Sequence, residues 1–257
     1  MELIDTHCHL TFEGLGEDVA AVIERSRAAE VVGWITVGTD PQENRKAVEL
    51  AERFENMYAA IGIHPHEART VAGDMLKELQ ELAHNKRVVA IGETGLDYHY
   101  NFSSREEQKN VFTEHLKIAD EMNLPVIIHS REAFEETMEI LERHSGDVKK
   151  IVFHCFSGDA EQAEVVLDKG FYISFTGVVT FKNAEAIREV ARIVPTDRMM
   201  VETDCPYMSP EPMRKQKINE PALMIHTARR LAELKGMSLT DFAEAVTATS
   251  KAFFGLP

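Results

Sequence analysis

The chain has 257 residues, with 28 lysines and arginines against 43 aspartates and glutamates and a net charge of -15. That length supports a full hydrophobic core in one or two domains. The acidic balance argues against a protein that coats nucleic acid through a broad basic surface. No apolar run reaches membrane-spanning length, the first residues do not read as a signal peptide, and three widely spaced cysteines do not suggest a disulfide framework. A cytoplasmic, reducing location is therefore expected.

The opening stretch Leu3-Ile4-Asp5-Thr6-His7-Cys8-His9 reads as a strand. Side chains alternate along a strand, so His7 and His9 share one face and Cys8 takes the other. A helix is expected over 14–30, with Val19, Val22 and Ile23 at helical spacing. A second strand is expected at 33–39. Asp40-Pro41 then opens a helix to about 56, because proline suits the first helical position. A third strand, 58–63, ends at His64-Pro65-His66 and is followed by a helix over 73–85. The fourth strand, 88–93, ends at Glu93. A long helix over 104–123 starts at a serine cap. The fifth strand, 125–129, ends at His129, with a helix expected over 130–143. The sixth, 150–154, ends at His154 and precedes a helix over 159–169. A seventh strand is expected at 171–177 and a helix at 183–194. The eighth strand, 199–204, ends at Asp204, and a loop over 205–219 leads to closing helices at 221–235 and 239–254.

Eight strands alternating with helices predict an α/β fold with a parallel sheet. The repeat count and length match a single (β/α)8 TIM barrel over 1–257. An open doubly wound sheet would carry a glycine-rich phosphate turn after its first strand. Histidines stand there instead, and no composition shift or linker splits the chain.

In such barrels the active site lies at the C-terminal ends of the strands. Those ends carry His7 and His9, Glu93, His129, His154 and Asp204, all of them metal-type donors. Each residue alone is weak evidence; the regular placement is not. Imidazoles suit zinc, nickel or manganese, while carboxylates also suit magnesium. Six ligands exceed one open tetrahedral site, so two divalent ions are expected. His7, His9 and Asp204 would hold one and His129 and His154 the other, with Glu93 bridging. Asp204 is also the expected base for the attacking water. Glu202, two residues earlier on the same face, is expected to orient a ligand on the substrate side. His64 and Arg131 are further substrate-side candidates. Cys8, Cys155 and Cys205 each adjoin an expected ligand and should pack as small apolar residues on the opposite face.

Six motifs, in order, resemble the TatD family of metal-dependent hydrolases. They are Asp5-Thr6-His7-Cys8-His9-Leu10, Gly62-Ile63-His64-Pro65-His66, Gly92-Glu93-Thr94-Gly95-Leu96-Asp97-Tyr98, Pro125-Val126-Ile127-Ile128-His129-Ser130-Arg131, His154-Cys155-Phe156-Ser157-Gly158 and Glu202-Thr203-Asp204-Cys205-Pro206-Tyr207. The resemblance implies an amidohydrolase-like TIM barrel, divalent ions, and deoxyribonuclease activity with DNA as substrate. Its metal positions match His7, His9, Glu93, His129, His154 and Asp204. The loop Met213-Arg214-Lys215-Gln216-Lys217-Ile218-Asn219-Glu220-Pro221 departs from the family pattern: it lacks a glycine and is one residue longer. Arg214, Lys215 and Lys217 are expected to contact phosphate there. The alternative activity is hydrolysis of an amide or ester in a small molecule or aminoacyl ester, since fold does not fix substrate.

Overall fold

The computed structural model describes the chain except Asn101, Ser145, Asp147 and Lys149. Its strands are β1 Leu3–Cys8, β2 Val31–Val37, β3 Met57–Ile61, β4 Val88–Asp97, β5 Val126–Arg131, β6 Ile151–Phe153, β7 Tyr172–Phe175 and β8 Met199–Val201. They form one sheet in chain order from β1 to β8. The helices between them are α1 Val19–Ala28, α2 Pro41–Arg53, α3 Gly73–Leu82, α4 Arg105–Met122, α5 Phe134–His144, α6 Ala160–Asp168 and α7 Glu185–Ile193, and α8 Met224–Lys235 and α9 Leu239–Phe254 close the chain. This is the (β/α)8 arrangement expected from the sequence. The chain packs as two compact units, residues 1–36 with 155–257, and residues 37–154.

In the first unit, β1 pairs in parallel with β2 and β7 with β8. The segment after β8 also meets the end of β1: Asp204 N donates to His7 O at 2.9 Å and His9 N to Cys205 O at 2.9 Å. Trp34, Phe175, Phe242 and Phe253 are fully buried here. The Trp34 indole N–H donates to Ser26 Oγ at 2.8 Å, which satisfies its one polar atom. α8 ends at Gly236 and α9 at Gly255, both in the left-handed conformation that a helix C-terminus favours.

In the second unit, β3, β4, β5 and β6 are consecutive parallel partners. Asp40 caps α2 by accepting from Gln42 N and Glu43 N, with Pro41 at the first position. Ser104 and Glu107 form a reciprocal capping box at the start of α4. Several bounds differ from the sequence reading: β8 stops at Val201, so Asp204 lies beyond the strand, and β3 stops at Ile61. β4 runs past Glu93 to Asp97, and β5 runs past His129 to Arg131, because Gly95, Leu96 and Asp97 keep pairing with His129, Ser130 and Arg131. Consequently α5 starts at Phe134 and not at Ser130.

Close backbone approach at the strand ends requires two glycines. A Cβ on Gly62 would stand 2.7 Å from the Gly92 carbonyl carbon, and one on Gly95, at φ 137°, would collide with His129 O. Both glycines let β4 run close beside its neighbours where Glu93 and His129 sit.

Candidate metal centre

The first unit gathers three of the expected ligands. His7 and His9 leave β1 on one face, and their Nε2 atoms lie 3.3 Å apart. Asp204 Oδ1 is 3.4 Å from His9 Nε2 and 3.8 Å from His7 Nε2. A point about 2.0 Å from all three donors lies within that triangle, which is the usual Zn–N and Zn–O distance. The set therefore fits a divalent cation as it stands. His7, His9 and Asp204 are all buried.

What holds this triangle is Asp5, a residue the sequence reading passed over. Its buried carboxylate accepts from His7 N at 3.3 Å, Thr203 N at 2.9 Å and Thr203 Oγ1 at 2.6 Å. One side chain thus ties the backbone bearing His7 to the backbone bearing Asp204. Burial pushes the Asp5 carboxyl up to about 7, although the Thr203 hydrogen bonds pull the other way. Asp204 itself sits at φ 52°, the left-handed region that aspartate tolerates better than most residues. The His9 ring stacks on Phe12 with centroids 4.6 Å apart.

Glu202 is buried and holds backbone: its Oε1 accepts from Cys155 N at 2.7 Å, and its Oε2 lies 3.4 Å from Thr6 Oγ1, a donor. Cys8 Sγ points to Ile35 O at 3.3 Å, and Cys155 Sγ lies 3.6 Å from Met208 Sδ. No cysteine joins a donor set among the described residues. In the long loop, the Arg214 guanidinium lies over the Phe181 ring at 3.8 Å, while Lys215 and Lys217 are exposed.

The second unit gathers the remaining expected ligands around one carboxylate oxygen. Glu93 Oε1 lies 2.7 Å from His154 Nε2, 2.8 Å from His129 Nδ1 and 3.4 Å from His64 Nε2. His64 is therefore among the donors and not set apart from them; His64, Glu93 and His129 together could hold a cation. Burial works to raise Glu93, but His154, His64 and His129 outweigh it and hold the carboxylate well below its ordinary range. Burial pushes His64 down to about 4 against the pull of Glu93.

Asp97 stands behind this set. Its Oδ2 lies 3.0 Å from His129 Nε2 and 3.0 Å from His66 Nε2. A carboxylate on the far nitrogen of a ligating histidine fixes the ring and makes it a better donor. Burial raises Asp97, yet the contacts to His129 and His66 hold it well below the carboxylate range. By alternation along β4, Asp97 shares a face with Glu93, so a longer strand assignment would have found it. Arg131, two residues after His129, places its guanidinium 5.0 Å from the centre of the Tyr100 ring.

His115 of α4 steadies the same strand end. Ile63 N donates to its Nε2 at 2.9 Å, and its Nδ1 lies 2.7 Å from Val111 O. The ring must be neutral with its proton on Nδ1, since Nε2 accepts.

Comparison with known proteins decides the family. The family described as TatD related DNase matches residues 4–255. The chain belongs to the TatD family. Within it, a Bacillus subtilis (strain 168) protein named uncharacterized metal-dependent hydrolase YabD is 41% identical over 252 residues, covering 98% of both chains. A Pantoea ananatis protein named 3'-5' ssDNA/RNA exonuclease TatD is 35% identical, covering 99% of this chain and all of the relative. The crystal structure of the Escherichia coli TatD homologue YJJV superimposes with a TM-score of 0.93 at 31% identity, covering 99% and 98% of the two chains. This TatD-family chain is a metal-dependent hydrolase. No helix among its described residues is long and apolar enough to cross a membrane.

Proposed function

We propose that this TatD-family hydrolase cleaves phosphodiester bonds of nucleic acid, acting on DNA from ends or on single strands, with one divalent ion at each donor set. The observation that carries the reading is the triangle of His7, His9 and Asp204, whose donor spacings of 3.3, 3.4 and 3.8 Å suit a cation. Nucleic acid as substrate is supported by full-length relatives named for single-stranded DNA and RNA exonuclease activity.

Divalent ions bound at such sets make water acidic enough to attack near neutral pH and offset charge on the phosphoryl oxygens. The protein supplies the rest. His7 and His9 fix one face of the first set through the backbone that Asp5 anchors. Asp204 takes a proton from the attacking water through a carboxylate oxygen. In the second set Glu93 keeps its negative charge among three imidazoles, and Asp97 keeps His129 oriented.

The test is a substrate panel on metal-loaded and chelator-treated protein: end-labelled single-stranded DNA, duplex DNA, RNA, and a carboxylic ester. Metal-dependent loss of nucleotides from the labelled strand is the expected result. Hydrolysis of the ester alone would transfer the assignment to the carboxylic ester and amide class. Glu93→Ala should abolish strand cleavage and lower bound metal, while Cys155→Ala should do neither.

A further inference from the structure

Tyr100 and Phe102 are large aromatic residues left 42% and 51% exposed. Single exposed apolar side chains are ordinary. These two are paired: their rings stack with centroids 5.5 Å apart and planes inclined by 21°. Both also stand edge-on to His66, at 5.5 and 4.9 Å. His66 reaches Asp97, and Asp97 reaches His129 of the second donor set. An unbroken line of contacts therefore runs from the exposed rings to the expected metal ligands, all within residues 37–154.

The pair is held in place. Asp97 Oδ1 accepts from His99 N and Tyr100 N, each at 3.0 Å. On the other side, Ser103 Oγ donates to His66 O at 2.8 Å and accepts from Arg69 N at 3.0 Å. Fixed aromatic faces lose little entropy on binding. Arg131 adds a cation 5.0 Å from the centre of the Tyr100 ring. In a chain of net charge -15, a cation beside an exposed aromatic face is a specific place for a group with both a flat ring and a negative charge.

We propose that Tyr100 and Phe102 form a base-stacking subsite for the nucleic acid strand, with Arg131 on the adjoining phosphate. This rests on the nucleic-acid reading of the donor sets and adds how the strand is gripped. Every base offers a π face, so such a platform grips a single strand without regard to sequence. A base inside a duplex is already stacked, so the subsite favours frayed or unpaired ends.

The test compares a single-stranded oligonucleotide, as DNA and as RNA, with an abasic strand of equal length. Phe102→Ala should raise Kd and KM for the base-bearing strand roughly tenfold, leave kcat nearly unchanged, and leave the abasic strand unaffected. Tyr100→Ala should act in the same direction. Phe102→Trp should keep tight binding and give a fluorescence signal that base-bearing strands quench and abasic strands do not; the native Trp34 is fully buried. Equal loss on both strands, or a fall in kcat alone, would show that the rings only cover His66 and would overturn the proposal. So would a Phe102→Ala protein that binds and cleaves like the wild type. A wild-type protein that neither binds nor cleaves any of these strands would overturn the nucleic-acid reading and the subsite with it.

Discussion

Nε2 of His129 lies 3.0 Å from Oδ2 of Asp97, on the side of the ring away from Glu93. Asp97→Asn removes that negative charge but keeps an oxygen for His99 N and Tyr100 N. Metal affinity should fall by about 10- to 100-fold, the usual cost of losing a carboxylate behind a ligating histidine. Titration calorimetry on the metal-stripped protein measures this, and the kcat–pH profile should move as His129 loses its partner. Unchanged affinity and profile would reduce Asp97 to a loop anchor.

Asp204 is asked both to ligate and to take a proton. Asp204→Asn keeps one ligand oxygen, but an amide is no base near neutral pH. Metal binding should weaken in part, while kcat should fall by roughly 10²–10⁴-fold. Excess metal should restore occupancy and not rate. Full rescue by metal would leave Asp204 a ligand only.

The loop cations should serve affinity and not chemistry. Replacing Arg214, Lys215 and Lys217 with alanine should raise KM for DNA and flatten its salt dependence, because fewer phosphate contacts release fewer counterions. Bound metal should not change. A constant KM would return the segment to an ordinary surface loop, which the seat of Arg214 on Phe181 also permits.

His115 makes stability depend on pH. Burial pushes its pKa down to about 4 from an ordinary 6.5, so the fold keeps the ring neutral while the unfolded chain takes up a proton. Its contribution is complete above pH about 6.5 and is lost as pH falls toward about 4. A gap of this size corresponds to ~3 kcal/mol at most. Urea unfolding of chelator-treated protein near pH 7 and near pH 4.5 should show a smaller difference for His115→Gln than for the wild type. An equal difference in both would mean that His115 titrates normally in the fold.

Much of this was readable from the chain alone. Period-two alternation and strand-end histidines marked His7, His9, His129 and His154, because a strand's end is where its hydrophobic run stops. Asp97 and Asp5 escaped for opposite reasons. Asp97 lies beyond the apolar part of β4, where pairing of Gly95 and Leu96 with β5, and not hydrophobicity, keeps the strand going. Asp5 lies inside a strand, where a carboxylate is compatible with burial only because Thr203, far off in sequence, supplies donors. Likewise Ser130 resembles a helix cap, but the sheet claims it and α5 starts later. Hydrogen bonds between distant segments leave no periodic trace.

The long loop after β8 is closed at its base by a single residue. Asn219 is buried, and its side-chain amide donates to Thr203 O at 3.1 Å and Tyr207 O at 2.7 Å, while its own N–H donates to Pro206 O at 2.9 Å. Next to it, Glu220 grips Arg25 of α1 through both oxygens. Of the intervening residues, Ser209 and Pro210 are buried and Glu211 N donates to Thr180 Oγ1 at 2.8 Å, so the interchangeable cassette is the mostly exposed stretch 212–218. Its length and charge can drift through insertion or deletion at small entropic cost, because the clamp screens Asp204 from the change. New substrate preferences can then evolve in this segment while the metal-binding chemistry stays inherited, and grafting a relative's stretch between Glu211 and Asn219 is a direct way to exchange them.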